Sequence, residues 1–184
     1  YAMIERYNAD LGKNLGNLLS RTLGLCAKLT GGRVPAYAPE ALEREFEAQA
    51  KVHIDAAARA WEELAPHRAL EETLALSSLA NQYVDRAAPW AEAKKDNPAR
   101  AATSLALLLE TLRALSVMVW PATPRKADAM RAQLGLSPIA TATSTDLWPT
   151  LTHKRAGRTL GTASPLFPTV DKDAEKVLLD RLQP

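Results

Sequence analysis

Ile4, Tyr7, Leu11, Leu15, Leu18, Thr22, Leu25 and Leu29 recur every three or four residues. That is the spacing of one helix face, whereas a strand would bury alternate positions. The opening segment is thereby committed to a long amphipathic helix, and the rest of the chain must cover its apolar side. Gly31-Gly32 should end this helix, since glycine accepts the left-handed conformation of a helix C-terminus. Residues 33–39, with two prolines, read as a loop. A second helix is predicted from about residue 40 into the low sixties, with Leu42, Phe46, Val52 and Ala56 on its apolar side. Pro66 suits the first turn of a third, burying Leu70, Leu74, Leu76, Leu79 and Val84 and ending before Pro89.

Trp90 then opens a short polar stretch, Ala91 to Asp96. Asn97-Pro98 pairs an N-cap side chain with a first-turn proline and starts a fourth helix, which runs through Leu105, Leu108, Leu109, Leu112, Leu115, Met118 and Val119 to Pro121. Thr123-Pro124 repeats the signal for a fifth helix, ended by Gly135. Residues 137–168 lose the helical period and are rich in Pro, Thr and Ser. Ala and Leu number 62 against 10 for Ile and Val, a balance that favours helices over strands. The expected fold class is all-α: an antiparallel bundle of about five helices, an irregular return segment over about 137–170 and a final helix over about 171–183. One domain should occupy 1–184.

Composition narrows the function. The chain has 184 residues, 24% charged and 47% hydrophobic, with a formal net charge of +2, which suits a soluble globular domain rather than a disordered one. Uninterrupted apolar runs are short, so no membrane span is expected. A single cysteine, Cys26, cannot form an internal disulfide and fits a cytoplasmic location. The sequence opens at Tyr1 without a charged-then-apolar leader and reads as a piece of a longer chain.

No catalytic constellation emerges. His53, His67 and His153 are too scattered for a metal cluster, and no glycine-rich phosphate loop is present. Glu62-Glu63 and Glu71-Glu72 are adjacent in helices, so each pair diverges by about 100° and makes a poor acid/base couple. The catalytic and metal residue sets are therefore expected to be empty. Charge is uneven: residues 1–33 carry five basic and two acidic side chains, residues 40–63 three basic and seven acidic. Lys154, Arg155 and Arg158 lie in a stretch, 148–168, without an acid. Such weak basic regions are compatible with phosphate contacts and equally with ordinary solvated faces. Asn14, Asn17 and Arg21 share a stripe bordering the buried face of the first helix, where they can bind a partner or hydrogen-bond a neighbouring helix.

Three runs go further. Tyr7-Asn8-Ala9-Asp10-Leu11-Gly12-Lys13-Asn14-Leu15-Gly16-Asn17-Leu18-Leu19-Ser20-Arg21 resembles the opening helix of the anticodon-binding domain of methionyl-tRNA synthetases. Leu79-Ala80-Asn81-Gln82-Tyr83-Val84-Asp85 with Ala88-Pro89-Trp90 resembles that family's second signature. Leu160-Gly161 with Pro165-Leu166-Phe167-Pro168 resembles its third. They occur in family order and span nearly the whole chain.

The resemblance implies an ATP-dependent methionine–tRNA ligase whose catalytic nucleotide-binding domain precedes this segment. ATP and methionine would bind in that absent domain, so no cofactor is expected here. The family's HIGH-like and KMSKS-like signatures have no counterpart. His53-Ile54-Asp55-Ala56 imitates the first but lacks its glycine and lies within a helix. The chain alone should be inactive. Its expected partners are the anticodon loop of methionine tRNA and the catalytic domain in cis, with neither DNA nor a membrane.

The family's anticodon readers fall on Asn17, Arg21 and Trp90. Asn8, Asp10 and Asn14 are expected to cap or join helices, Asn81 and Tyr83 to make inter-helix contacts, and Trp61, Trp120 and Trp148 to be core or edge aromatics. Cys26 should be a small buried hydrophobe. The alternatives are the corresponding domain of a sister class I synthetase, or a helical scaffold that binds proteins.

Overall fold

The opening helix changes its winding partway. In the computed structural model, which describes residues 2–95, 97–147, 149–152 and 156–180, α1 (Ala2–Arg6) passes into a π-helical stretch, π1 (Tyr7–Gly16), and then into α2 (Asn17–Leu29). At the second junction the Asn17 N–H donates to the Gly12 carbonyl, a span of five residues, and to that of Asn14. Apolar spacing of three and four does not distinguish this wider winding from a regular helix, so the π stretch was not expected. Gly31 and Gly32 stop α2 with φ of +61° and +71°, as the glycine pair predicts.

The remaining helices begin where capping chemistry puts them. They are α3 (Ala41–Glu62), α4 (Pro66–Ala87), α5 (Pro89–Lys94), α6 (Pro98–Val119), α7 (Pro124–Gln133), α8 (Ser144–Leu147) and α9 (Lys172–Asp180). A 3₁₀ turn, Ile139–Thr141, lies between α7 and α8. Proline occupies the first turn of α4, α5, α6 and α7, and the Asn97 side chain accepts from the Arg100 N–H to cap α6. Residues 91–94 of the polar stretch after Trp90 are thus helical. Residues 181–184, where the final helix was expected to end, lie outside the described residues.

Helix α6 is the centre of the bundle. Leu105, Leu107, Leu108, Leu109, Leu112 and Leu115 are at most 1% exposed, each contributing about 1.5–3 kcal/mol by burial. By length and composition α6 could cross a membrane, contrary to the expectation from short apolar runs, but 89% of its most apolar window is buried by the other helices. A helix apolar all round is what a bundle centre requires. Toward α3 the expected face is partly wrong. Val52 is 63% exposed, and Phe46, Ala50, Ile54, Ala57 and Ala60 form the buried stripe. On α4, Leu70, Leu74 and Leu79 are half-buried, while Leu76, Ala80, Tyr83 and Val84 fill the core.

Helix direction follows from the contacts. Between α3 and α4, Glu45 pairs with Arg86 and His53 with Glu72, so these helices are antiparallel. The first helix and α4 are parallel instead. Asn14 meets Ser78, Asn17 meets Asn81 and Arg21 meets Asp85, each pair separated by the same 64 residues.

The acidic second helix is not simply a solvated face. Glu43 is fully buried and accepts both arms of the Arg100 guanidinium at 2.6 Å and the Tyr83 hydroxyl at 2.5 Å. Burial alone would raise its pKa, but these hydrogen bonds prevail and hold the carboxyl below the ordinary range.

The return segment is bound to the bundle by backbone pairing and buried charge. Residue Arg33 bridges Thr159 in antiparallel fashion, flanked by Val34 N–H to Arg158 O at 2.9 Å and Leu160 N–H to Gly32 O at 2.9 Å. Glu110, buried on α6, accepts from Arg113 and from the Thr152 N–H, and Arg113 donates to the Thr150 carbonyl at 2.6 Å.

Candidate anticodon-reading site

Asn17 and Arg21 lie one turn apart on α2 and face the parallel helix α4. The Arg21 Nη2 donates to Asp85 Oδ1 at 2.8 Å, and the guanidinium carbon stands 5.7 Å from the centroid of the Trp90 ring. The remaining guanidinium nitrogens of Arg21 have no partner among the described residues. Asn17 is exposed and reaches Asn81 only through a long 3.5 Å contact, which leaves its amide available. Trp90 is 38% exposed. Asn17, Arg21 and Trp90 therefore meet at one surface, although the sequence separates Trp90 from the other two by a full helix pair.

The backbone places Trp90 by a local sacrifice. Ala88 adopts φ +40°, a left-handed conformation that costs a non-glycine residue about 1–2 kcal/mol. The turn lets Pro89, buried, begin α5 and sets the next side chain over Arg21. The same left-handed residue ends α4, just as Leu64, with φ +55°, follows the end of α3.

Asn14, Asn81 and Tyr83 join helices as expected, whereas Asn8 ties the opening helix to the return segment and Asp10 pairs within its own helix. Asn14 is consumed by structure: it donates to Ser78 at 2.9 Å and accepts from Ser77 at 2.8 Å and from Asn81 at 3.0 Å. Asn8 pairs with the Val170 backbone, Asp10 binds Arg6, and Tyr83 is held by Glu43. Asp85, the ion-pair partner of Arg21, is a site residue that the sequence reading does not include. Its signal lay in the spacing, for Ser78, Asn81 and Asp85 repeat the three-then-four interval of Asn14, Asn17 and Arg21.

Other sequence candidates are occupied or elsewhere. Glu63 pairs with Arg68, and Glu72 with His53 inside the α3–α4 interface. Arg158, considered for phosphate contact, turns inward instead. Its Nε and Nη1 are buried, and it lines a small cavity with Tyr37 and Glu110. Trp61 is half-buried and Trp120 is 37% exposed at the bundle edge. Cys26 is fully buried, and burial pushes its thiol up to about 12 despite a hydrogen bond from Thr30. Trp148, His153, Lys154 and Arg155 lie outside the described residues. Among the described residues no His, Cys, Asp and Glu side chains are grouped to hold a metal ion.

The site thus joins an exposed amide, a directed guanidinium and a half-exposed indole. It suits a planar, edge-bearing ligand such as an unstacked base, which single-strand RNA-binding surfaces stack on aromatics and read at the Watson–Crick edge. A family model for the anticodon binding domain of methionyl tRNA ligase matches residues 34–183. The methionine–tRNA ligase of Lactiplantibacillus plantarum is 35% identical over 178 residues, 94% of this chain and 26% of the relative. That of Deinococcus radiodurans is 38% identical over 136 residues, 73% of this chain and 20% of the relative. The crystal structure of the apo form of Mycobacterium tuberculosis methionyl-tRNA synthetase superposes with a TM-score of 0.82 at 28% identity, covering 92% of this chain and 34% of that one. The chain belongs to the methionyl-tRNA ligase anticodon-binding domain family. It spans about a quarter of the length of these curated relatives.

Proposed function

We propose that the chain reads the CAU anticodon of methionine tRNA and positions that tRNA for aminoacylation by a methionine–tRNA ligase of the cytoplasm. The observation that carries this reading is the Arg21 guanidinium held between Asp85 and the Trp90 ring, one turn from the exposed Asn17 amide. Cytosine presents an amino donor beside N3 and O2 acceptors. The Asn17 carbonyl accepts from the amino group, and the Arg21 fork donates to N3 or O2. Uracil offers an acceptor where cytosine has its donor and a donor where cytosine has N3, so the Asn17 contact and an Arg21 contact to N3 turn unfavourable, while O2 is common to both bases. Trp90 supplies a stacking face.

The reading extends to a whole ligase because family membership and the quarter-length overlap both support a domain within a longer enzyme. ATP and methionine then bind outside residues 1–184. The test is Arg21→Ala against stem-loops carrying C or U at the first anticodon position. The account expects the preference for C to collapse, and a variant with the preference intact refutes it.

A further inference from the structure

Residues 165–170 lie across the π-helical stretch on the side away from α4. The Phe167 ring, 7% exposed, meets the Tyr7 ring edge-on at 6.3 Å between centroids. It rests on the bare backbone of Gly16, where an added Cβ would stand 3.6 Å from the ring and only 3.1 Å from the Leu11 carbonyl. Lys126 of α7 fixes this strap from behind, donating to the Leu166 carbonyl at 2.7 Å and standing 5.8 Å from the Phe167 ring centroid. Farther along, Asn8 makes two bonds to the Val170 backbone, at 2.8 and 2.9 Å.

The strap therefore touches both ends of the widened winding, at Asn8 and at Gly16. A π stretch is a costly local state that persists where surroundings enforce it, and such stretches are frequent at functional sites. Reverting to regular winding would close the span between Gly12 and Asn17 by one residue. It would also rotate everything before Asn17 relative to α4, breaking the Asn14 contacts with Ser77, Ser78 and Asn81. Gly16 immediately precedes Asn17, so pressure on Gly16 is transmitted to the amide that faces the ligand.

We propose that the 165–170 strap, through Phe167 and Asn8, holds the π winding in register and so positions Asn17 for base discrimination. Phe167 and Asn8 act as positioning residues and do not touch RNA. The inference rests on the reading of Asn17 and Arg21 given above. It explains why a Pro-Leu-Phe-Pro run at the far end of the chain accompanies the opening helix. The two form one device.

The test combines two variants and two readouts. Phe167→Ala removes the wedge, and Asn8→Ala cuts the strap nine residues before Asn17, at a place that leaves the core intact if the first variant fails to fold. Both should lower the ratio of CAU to UAU stem-loop affinity several-fold while leaving the salt dependence of binding unchanged. Both should speed amide exchange at Gly16 and Asn17, and Phe167→Leu, which refills the space, should restore the ratio. Folded variants with the parental ratio and parental amide protection overturn the proposal, as does an equal loss of affinity for every stem-loop. If the unaltered chain shows no preference for CAU, it is the functional reading that fails. Amide exchange then decides alone whether the strap holds the winding.

Discussion

Arg21 and Trp90 form a cation–π pair at 5.7 Å across the junction of α2 and α5. Such a pair contributes about 0.5–1 kcal/mol at an exposed site. Its larger consequence is geometric, since it holds the guanidinium beside the indole before any ligand arrives. Asp85 closes the arrangement from α4. The contacts a base would need are thus ordered in advance, which lowers the entropic cost of binding.

Trp90 and Arg21 should fail differently. Trp90→Ala removes the stacking face, worth about 1–3 kcal/mol per base, and should weaken all stem-loops to a similar degree. Arg21→Ala should act chiefly on the ratio of C to U. Titrations of both variants against CAU and UAU stem-loops separate the two patterns.

Acid should weaken the fold through Glu43. Its pKa is depressed in the folded chain, so the network with Arg100 and Tyr83 stabilises fully above the unfolded value, roughly 4.3. That contribution is lost as pH falls through the lower, folded value. Glu43→Gln should cost about 3 kcal/mol at neutral pH, since Arg100 loses a nearly buried counter-charge. Urea titrations should show the gap between the two proteins narrowing as pH drops below about 4.

Cys26 should be inert in the folded protein. With its thiol pushed up to about 12 and fully buried, little thiolate exists at pH 8. Alkylation should be slow in buffer and rapid in concentrated urea. Equal rates in both would contradict the burial.

Gly161→Ala should destabilise without touching the site. A Cβ there would stand 2.3 Å from the Ala132 carbonyl, because the Gly161 N–H bonds Gln133 O at 2.9 Å and draws the return segment onto the end of α7. Forced overpacking of this kind costs about 1–3 kcal/mol. A lowered melting temperature with unchanged C-over-U preference is expected.

The sequence carried most of the helix boundaries because they rest on local chemistry. Prolines at 66, 98 and 124 sit in first turns, and Gly31-Gly32 and Gly135 take positive φ just past helix ends, whereas Pro89, read only as a stop, also opens α5. What it hid was long-range. Glu43 looked like one more acid in an acidic helix, and only its partners on α4 and α6 reveal it as buried. Arg158 looked like a basic surface residue, but the pairing with residues 32–34 turns it inward. The π winding leaves no mark on apolar spacing. The reading face was partly legible, for the matched intervals Asn14-Asn17-Arg21 and Ser78-Asn81-Asp85 encode two parallel helices in register. Apolar periodicity, on which the antiparallel bundle was argued, says nothing of helix direction.

The central claim is base readout at Asn17, Arg21 and Trp90. Its most direct test is binding of this chain to anticodon stem-loops carrying CAU, UAU and GAU at two salt concentrations. Base readout predicts a preference for CAU that survives the higher salt, because hydrogen bonds to base edges release no counterions. Equal binding to all three that fades together with salt would reduce the interaction to phosphate attraction and contradict the account.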